Sequence, residues 1–305
     1  MHQYPPKSTL RTYIDTFLHS WDCWGFTLFS ILEREFSFWL HFVSHCHFCL
    51  ILPIILHIYY NKQLPSYHLA RHTGGSGTPQ LPTTGLQLES GQSIRIPTSP
   101  GWSGRIWART GCTFDESGAG TCQTGDCGGR LECDGIGAAP PTSLFEITLG
   151  AGTDKDFYDV SFVDGYNLPL IAVPRGVYGG CNATGCASDI NIGCPKELQV
   201  VGNSGEEGGV VACKSACDAF GLDQYCCSGE FANPSTCRPS FYSSIFKRAC
   251  PRAYSYAFDD GTSTFTCKAY EYAVIFCPNA NGMKRSNDPL PGPLFQGRNN
   301  GEIGG

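Results

Sequence analysis

Eight histidines and eighteen cysteines are spread so unevenly over the 305 residues that they limit the available chemistry at once. Every histidine lies at or before His72, and fifteen of the cysteines lie between Cys112 and Cys277. The cysteine-rich part therefore has no histidine to serve a Ser-His-Asp or Cys-His nucleophile, and none to ligate a metal. It has no C-x-x-C pair either, which sets zinc ribbons and fingers aside. Its cysteines read as a disulfide framework made in an oxidising compartment. Chemistry there falls to carboxylates, tyrosines and basic side chains, with no metal and no cofactor expected. Two carboxylates across a cleft can hydrolyse a glycosidic bond when one keeps a proton as acid and the other stays ionised. Mutual repulsion in a partly buried cleft separates their pKa values.

Residues 79–278 carry 21 acidic and 13 basic side chains, a net charge of −8. That balance argues against a nucleic-acid partner. It suits neutral polar ligands such as sugars.

The elements that must position such groups are short strands. Leu86 to Pro97 alternates around a glycine and predicts a strand pair turning at Ser90-Gly91. In Gly104 to Thr110, Ile106 points one way, while Arg105, Trp107 and Arg109 point the other. Ser143 to Leu149 puts Phe145, Ile147 and Leu149 on a core face and Glu146 opposite. Phe157 to Val163 is its predicted hairpin partner, with Asp159 on the face of Phe157 and Ser161. Asp164 precedes Gly165 at the strand end. Leu168 to Pro174, Ser263 to Lys268 and Tyr270 to Phe276 complete the strands. Val210 to Phe220 is the best helix, with Gly221 to cap it, and Pro239 to Lys247 predicts a second with proline at its start. Many short strands with glycine-rich turns mean a mainly β fold, a β-sandwich.

The ends differ. Phe36 to Tyr60 is apolar and long enough to cross a bilayer, yet it holds Pro53 and four histidines. Residues 1–75 are expected to be foreign to the mature domain, with a membrane anchor at 36–60 as the alternative. Residues 279–305 are polar, rich in glycine and proline, and read as a disordered tail. Asn182-Ala183-Thr184 is an N-glycosylation sequon in a glycine-rich loop.

Gly118 to Cys133 reads GAGTCQTGDCGGRLEC, and this run of glycines and cysteines resembles the signature of thaumatin-like proteins, the plant pathogenesis-related family. RIWARTGC (Arg105 to Cys112), DVSFVDGYN (Asp159 to Asn167), CPRAYSYAFDD (Cys250 to Asp260) and VIFCP (Val274 to Pro278) look like further family segments. The resemblance covers about Gly77 to Pro278, which places a domain at 76–278. It implies a flattened β-sandwich with a disulfide-rich, partly helical subdomain at about 186–250 and an acidic cleft between them. It also implies seven bridges: Cys112 with Cys122, Cys127 with Cys133, Cys181 with Cys267, Cys186 with Cys250, Cys194 with Cys213, Cys217 with Cys226, and Cys227 with Cys237. The family's eighth bridge ties the last cysteine to one in the first strand. That strand is not recognised here, so Cys277 is expected unpaired.

The family's cleft residues fall on Arg105, Glu146, Asp159, Asp164 and Asp259, with Arg109 the neighbouring alternative for the arginine. The resemblance implies a secreted, monomeric plant defence protein of the apoplast or vacuole. Its implied ligand is β-1,3-glucan or another fungal wall polysaccharide. Weak endo-β-1,3-glucanase activity would use Glu146 as acid and Asp164 as the ionised partner. Non-catalytic membrane-perturbing antifungal action and inhibition of a foreign hydrolase are the alternatives. Tyr166, Tyr254 and Tyr256 are candidates to stack on sugar faces.

Overall fold

The computed structural model describes residues 54–60, 67–73, 78, 81–176, 181–203 and 209–278. Its strands in chain order are β1 (Ile54–Tyr60), β2 (Tyr67–Thr73), β3 (Gly85–Leu88), β4 (Ser93–Thr98), β5 (Ser103–Arg109), β6 (Thr113–Phe114), β7 (Gly120–Thr121), β8 (Leu144–Thr148), β9 (Asp156–Ser161), β10 (Leu170–Arg175), β11 (Thr184–Cys186), β12 (Gln199–Val201), β13 (Val210–Cys213), β14 (Phe265–Cys267) and β15 (Glu271–Phe276). The α-helices are α1 (Ala216–Phe220), α2 (Asp223–Cys226), α3 (Phe241–Ala249) and α4 (Asp260–Ser263). One sheet has the order β11-β10-β15-β1-β4, the other β14-β9-β8-β5-β2-β3. Leu56, Ile58, Val274 and Phe276 from the first join Ile106, Phe145, Ile147 and Val160 from the second in one buried core. The molecule is thus a β-sandwich, and the core face of β8 is the one its alternation predicts.

The sandwich begins earlier than the sequence suggests. β1 lies between β15, to which it is parallel, and β4, to which it is antiparallel. β2 lies between β3 and β5. The expected boundary at 75–76 therefore falls after two strands of the folded unit. The physical reason is the alternation of Ile54, Leu56 and Ile58, all buried. Each contributes about 1.5–3 kcal/mol on burial, and the flank of β15 offers the unpaired edge such a strand needs. The C-terminal part of the apolar stretch 36–60 is consequently a strand, not a spanning helix. Its remainder, 36–53, and the tail 279–305 lie outside the described residues. No helix among the described residues is long and apolar enough to cross a membrane.

Two further expectations are corrected. The segments around Ser90-Gly91 do form strands, but β3 and β4 enter different sheets. Gly91, at φ 80°, makes the corner, and Gln92 N donates to Glu89 O at 3.0 Å. Leu88 from one sheet and Ile96 from the other both lie in the core. The helix expected over Val210 to Phe220 is half strand: β13 pairs with β12, and α1 starts only after Ser215 caps it through the Asp218 amide. Gly221 ends α1 in the left-handed region, at φ 64°. α3 starts after Ser240, which forms a capping box with Ser243 in place of a proline start.

Seven disulfides join the pairs that the resemblance implies. Cys186–Cys250 closes the base of the helical subdomain across 64 residues, a loop whose closure is worth about 4 kcal/mol. Cys277 is buried, and its amide donates to Pro169 O at 2.9 Å.

Candidate functional site: a carboxylate cleft

Register in the six-stranded sheet assembles the site. Arg105 on β5 is the direct partner of Glu146 on β8, and Glu146 is the direct partner of Asp159 on β9. Direct partners in an antiparallel pair share a face, so one cation and two carboxylates form a row on the outer side of the sheet. Arg105 Nε donates to Glu146 Oε1 at 2.7 Å. Burial pulls the Arg105 guanidinium down, but the charges of Glu146, Asp164 and Asp159 outweigh it and raise its pKa. On the far side of Arg105, the partner in register is His72 of β2. The absence of histidine from the cysteine-rich part gave no hint of this neighbour.

Asp164 reaches the row from the turn after β9. Gly165 holds φ 88°, and a Cβ there would lie 2.5 Å from Pro141 Cβ and 2.9 Å from Cys213 O. Only glycine fits that approach. Thr142 N donates to Asp164 O at 3.0 Å, and Tyr166 exchanges two 2.8 Å backbone bonds with Cys213. The turn is thereby pinned to β13, whose chain leads into α1. Burial pushes the Asp164 carboxyl up; Arg105 pulls it down, while Glu146 and Asp218 push it up further. Asp218, on α1, is a carboxylate that the sequence reading missed. Its only signal was its place in the first turn of a capped helix.

The remaining candidates have partners of their own. Arg109 is fully buried; its Nη1 and Nη2 donate to Arg130 O and Leu131 O, both at 2.7 Å. Burial lowers its pKa to about 10. Trp107, on the same face, packs with Cys127, Cys133 and Leu144. The glycine-cysteine loop covers that end of β5 and leaves Arg105 open. Asp259 pairs with Lys247 Nζ at 2.9 Å and accepts from Ser255 N and Oγ, each at 2.9 Å. It fastens its loop to α3. Tyr166 and Tyr254 are buried, and their hydroxyls donate to Ser188 O and to Asp260 Oδ1. Tyr256 is half-buried and lines a crevice with Val163, Gln224, Tyr225, Arg238 and Ser240. Asn182 is exposed, whereas Thr184 of the sequon is buried and donates to Arg252 O at 2.7 Å. Among the described residues no histidine, cysteine, aspartate and glutamate grouping could hold a metal ion.

A row of carboxylates around one guanidinium, with a pKa raised by burial at one end, can bind hydroxyl-rich ligands or divide acid and base roles. The comparisons agree with the fold and the motifs. The model of the Thaumatin family matches residues 68–278. A pathogenesis-related thaumatin-like protein 3.5 from Cryptomeria japonica is 54% identical over 206 residues, 68% of this chain and 83% of its own. Pathogenesis-related protein 5 from Arabidopsis thaliana is 54% identical over 200 residues, 66% of this chain and 81% of its own. A protein of Prunus avium named glucan endo-1,3-beta-glucosidase is 50% identical over 202 residues, 66% of this chain and 81% of its own. With a family model matched over more than half its length and relatives at this identity, the chain belongs to the thaumatin family and is a thaumatin-like protein.

Proposed function

We propose that this is a secreted plant defence protein that binds β-1,3-glucan of fungal walls in the cleft of Arg105, Glu146, Asp159 and Asp164. The observation that carries the reading is the register row Arg105–Glu146–Asp159, with Asp164 brought to it by the Gly165 turn. Carboxylates accept from sugar hydroxyls, and the ion pair with Arg105 holds Glu146 in place. The seven disulfides suit an oxidising, extracellular setting. Incubation with insoluble β-1,3-glucan tests it: depletion of the protein from solution is expected, and no depletion overturns it.

A second reading, weak endo-β-1,3-glucanase activity, is favoured by the raised carboxyl of Asp164 and by the name of the Prunus avium relative. The roles then reverse the sequence expectation. Glu146 is held by the Arg105 guanidinium at 2.7 Å. Asp164, desolvated and beside Glu146 and Asp218, is the better holder of a proton. Release of reducing sugar by the wild type, lost in Asp164→Asn while depletion persists, is the expected result. Depletion without sugar release from the wild type leaves binding alone.

A further inference from the structure

The sequon Asn182-Ala183-Thr184 has no part in the carboxylate row, and the fold divides it. Asn182 and Ala183 are exposed, and the Asn182 carboxamide has no hydrogen-bond partner among the described residues. Thr184 opens β11 and is only 2% exposed. It stands opposite Ala172 of β10, and its hydroxyl donates to Arg252 O at 2.7 Å. The backbone around it is held as well. Tyr158 OH donates to Asn182 O at 2.6 Å, and Arg252 Nε donates to Ala183 O at 2.8 Å. Cys181, immediately before, is bonded to Cys267. At Gly185, immediately after, a Cβ would lie 2.2 Å from Leu170 O.

An N-glycosylating transferase reads the hydroxyl two residues after the asparagine. In the folded protein that hydroxyl is buried and spent on Arg252 O, and the sequon cannot leave the surface without giving up its bonds to Tyr158 and Arg252. The folded chain is therefore no substrate. It can still carry the product, because an exposed, unpartnered amide accepts a sugar without displacing a protein contact. The groups that enclose the sequon come late in the chain. Arg252 follows Thr184 by 68 residues, and Cys267 follows Cys181 by 86. At about 5–20 residues per second of synthesis, the sequon precedes them by roughly 3–17 s. A lone β10–β11 hairpin is marginal in water and does not fix the sequon meanwhile. We infer that Asn182 carries an N-linked glycan in the secreted protein and receives it in this interval, before Arg252 and Cys267 close over the sequon. The donor is an oligosaccharide joined through a diphosphate to a lipid. Asn182 Nδ2 forms a bond to the anomeric carbon of the first sugar, and the bond from that carbon to the diphosphate oxygen breaks. The lipid diphosphate leaves with the electron pair, and one Nδ2 proton passes to a base of the transferase. Asn233-Pro-Ser is the other N-x-S/T triplet of the chain, and its proline excludes it as an acceptor.

This inference rests on the secretory route of the proposed function and not on its cleft. The full chain, placed behind a cleavable secretion leader, is expressed in plant cells, and the secreted protein is treated with a glycosidase that removes plant N-glycans. Wild type is expected to lose the mass of one glycan, with Asn182 converted to aspartate, and Asn182→Gln to lose none. Secreted wild type without a glycan at Asn182 overturns the inference, since the fold then closes faster than the transferase acts. Glucan depletion is scored on the same samples; its absence overturns the cleft reading alone, because the mass change is read independently. The order of events is tested with the full chain made in bacteria and offered to purified transferase and its lipid-linked donor. One sample is oxidised and folded, with its seven disulfides verified by mass, and the other is reduced and unfolded. Transfer to the unfolded chain and its loss in the folded one are expected. Equal transfer to both overturns glycosylation before folding, and transfer to neither overturns Asn182 as an acceptor.

Discussion

Both sheets present charged residues on their outer faces, but the two faces are built in opposite ways. On the five-stranded sheet, Glu271 is the single carboxylate among Arg175 at 3.2 Å, Arg95 at 3.7 Å and His57 at 3.3 Å. Tyr59 OH lies 2.6 Å from His57 Nδ1, Arg175 donates to Tyr59 OH at 2.9 Å, and His57 Nε2 meets Ser93 Oγ at 3.2 Å. Each group is taken up by another, and the network ties β1, β4, β10 and β15 together. On the six-stranded sheet, Arg105 is shared by Glu146, Asp159 and Asp164, so carboxylate is in surplus. The first arrangement is closed and stabilises strands. The second leaves carboxylate in excess over cation and costs stability, as clusters of like charge do.

The largest effect should come from breaking the closed network. Glu271→Leu leaves two guanidiniums facing each other without their carboxylate and should cost about 2–3 kcal/mol. Urea denaturation measures it, and a loss as small as that of a surface pair would show that the network is not closed. Next comes His57. Burial lowers its pKa below the ordinary value, outweighing the raising effect of Glu271, with Arg95 and Arg175 lowering it further. The folded state thus favours neutral imidazole. As pH falls below about 6.5 the unfolded chain takes up the proton first. Stability from this group is full above that pH and is lost as pH falls toward the folded pKa. His57→Gln should flatten that acid limb in melts recorded across pH; an unchanged limb would assign it to other groups.

On the open face the effects are smaller. Glu146→Gln breaks an ion pair whose arginine is 45% exposed, so stability should fall by under about 1 kcal/mol. A loss as large as that for Glu271→Leu would erase the contrast between the faces. Smallest is Asp164→Asn, for which a slight rise in melting temperature is expected at neutral pH. The folded carboxyl is held above its unfolded value, so its ionisation costs stability once pH exceeds the folded pKa. The gain from asparagine should be full there and shrink as pH falls toward the unfolded value. A fall in melting temperature would mean that ionised Asp164 is a net stabiliser of the turn.

The residues of β8 alone put Glu146 opposite the core, because a strand has a period of two and Phe145 and Ile147 must face it, and the same period grouped Asp159 with Phe157 and Ser161; the fold then put Tyr158 and Val160 in the core. Motif resemblance supplied the cysteine pairs, since the spacing of glycines and cysteines belongs to one covalent framework. Other features depend on contacts between residues far apart in the chain, which local periodicity does not encode. Alternation put Arg105 and Arg109 on the same face, and only the covering loop left one open beside Glu146 and made the other a buried clamp on two carbonyls. The same holds for β3 and β4, whose alternation fits a hairpin but whose partners lie in separate sheets. It holds most for Ile54–Tyr60. Its apolar run reads as membrane or foreign sequence until β15 and β4 stand on either side and give its backbone and its isoleucines a place to go.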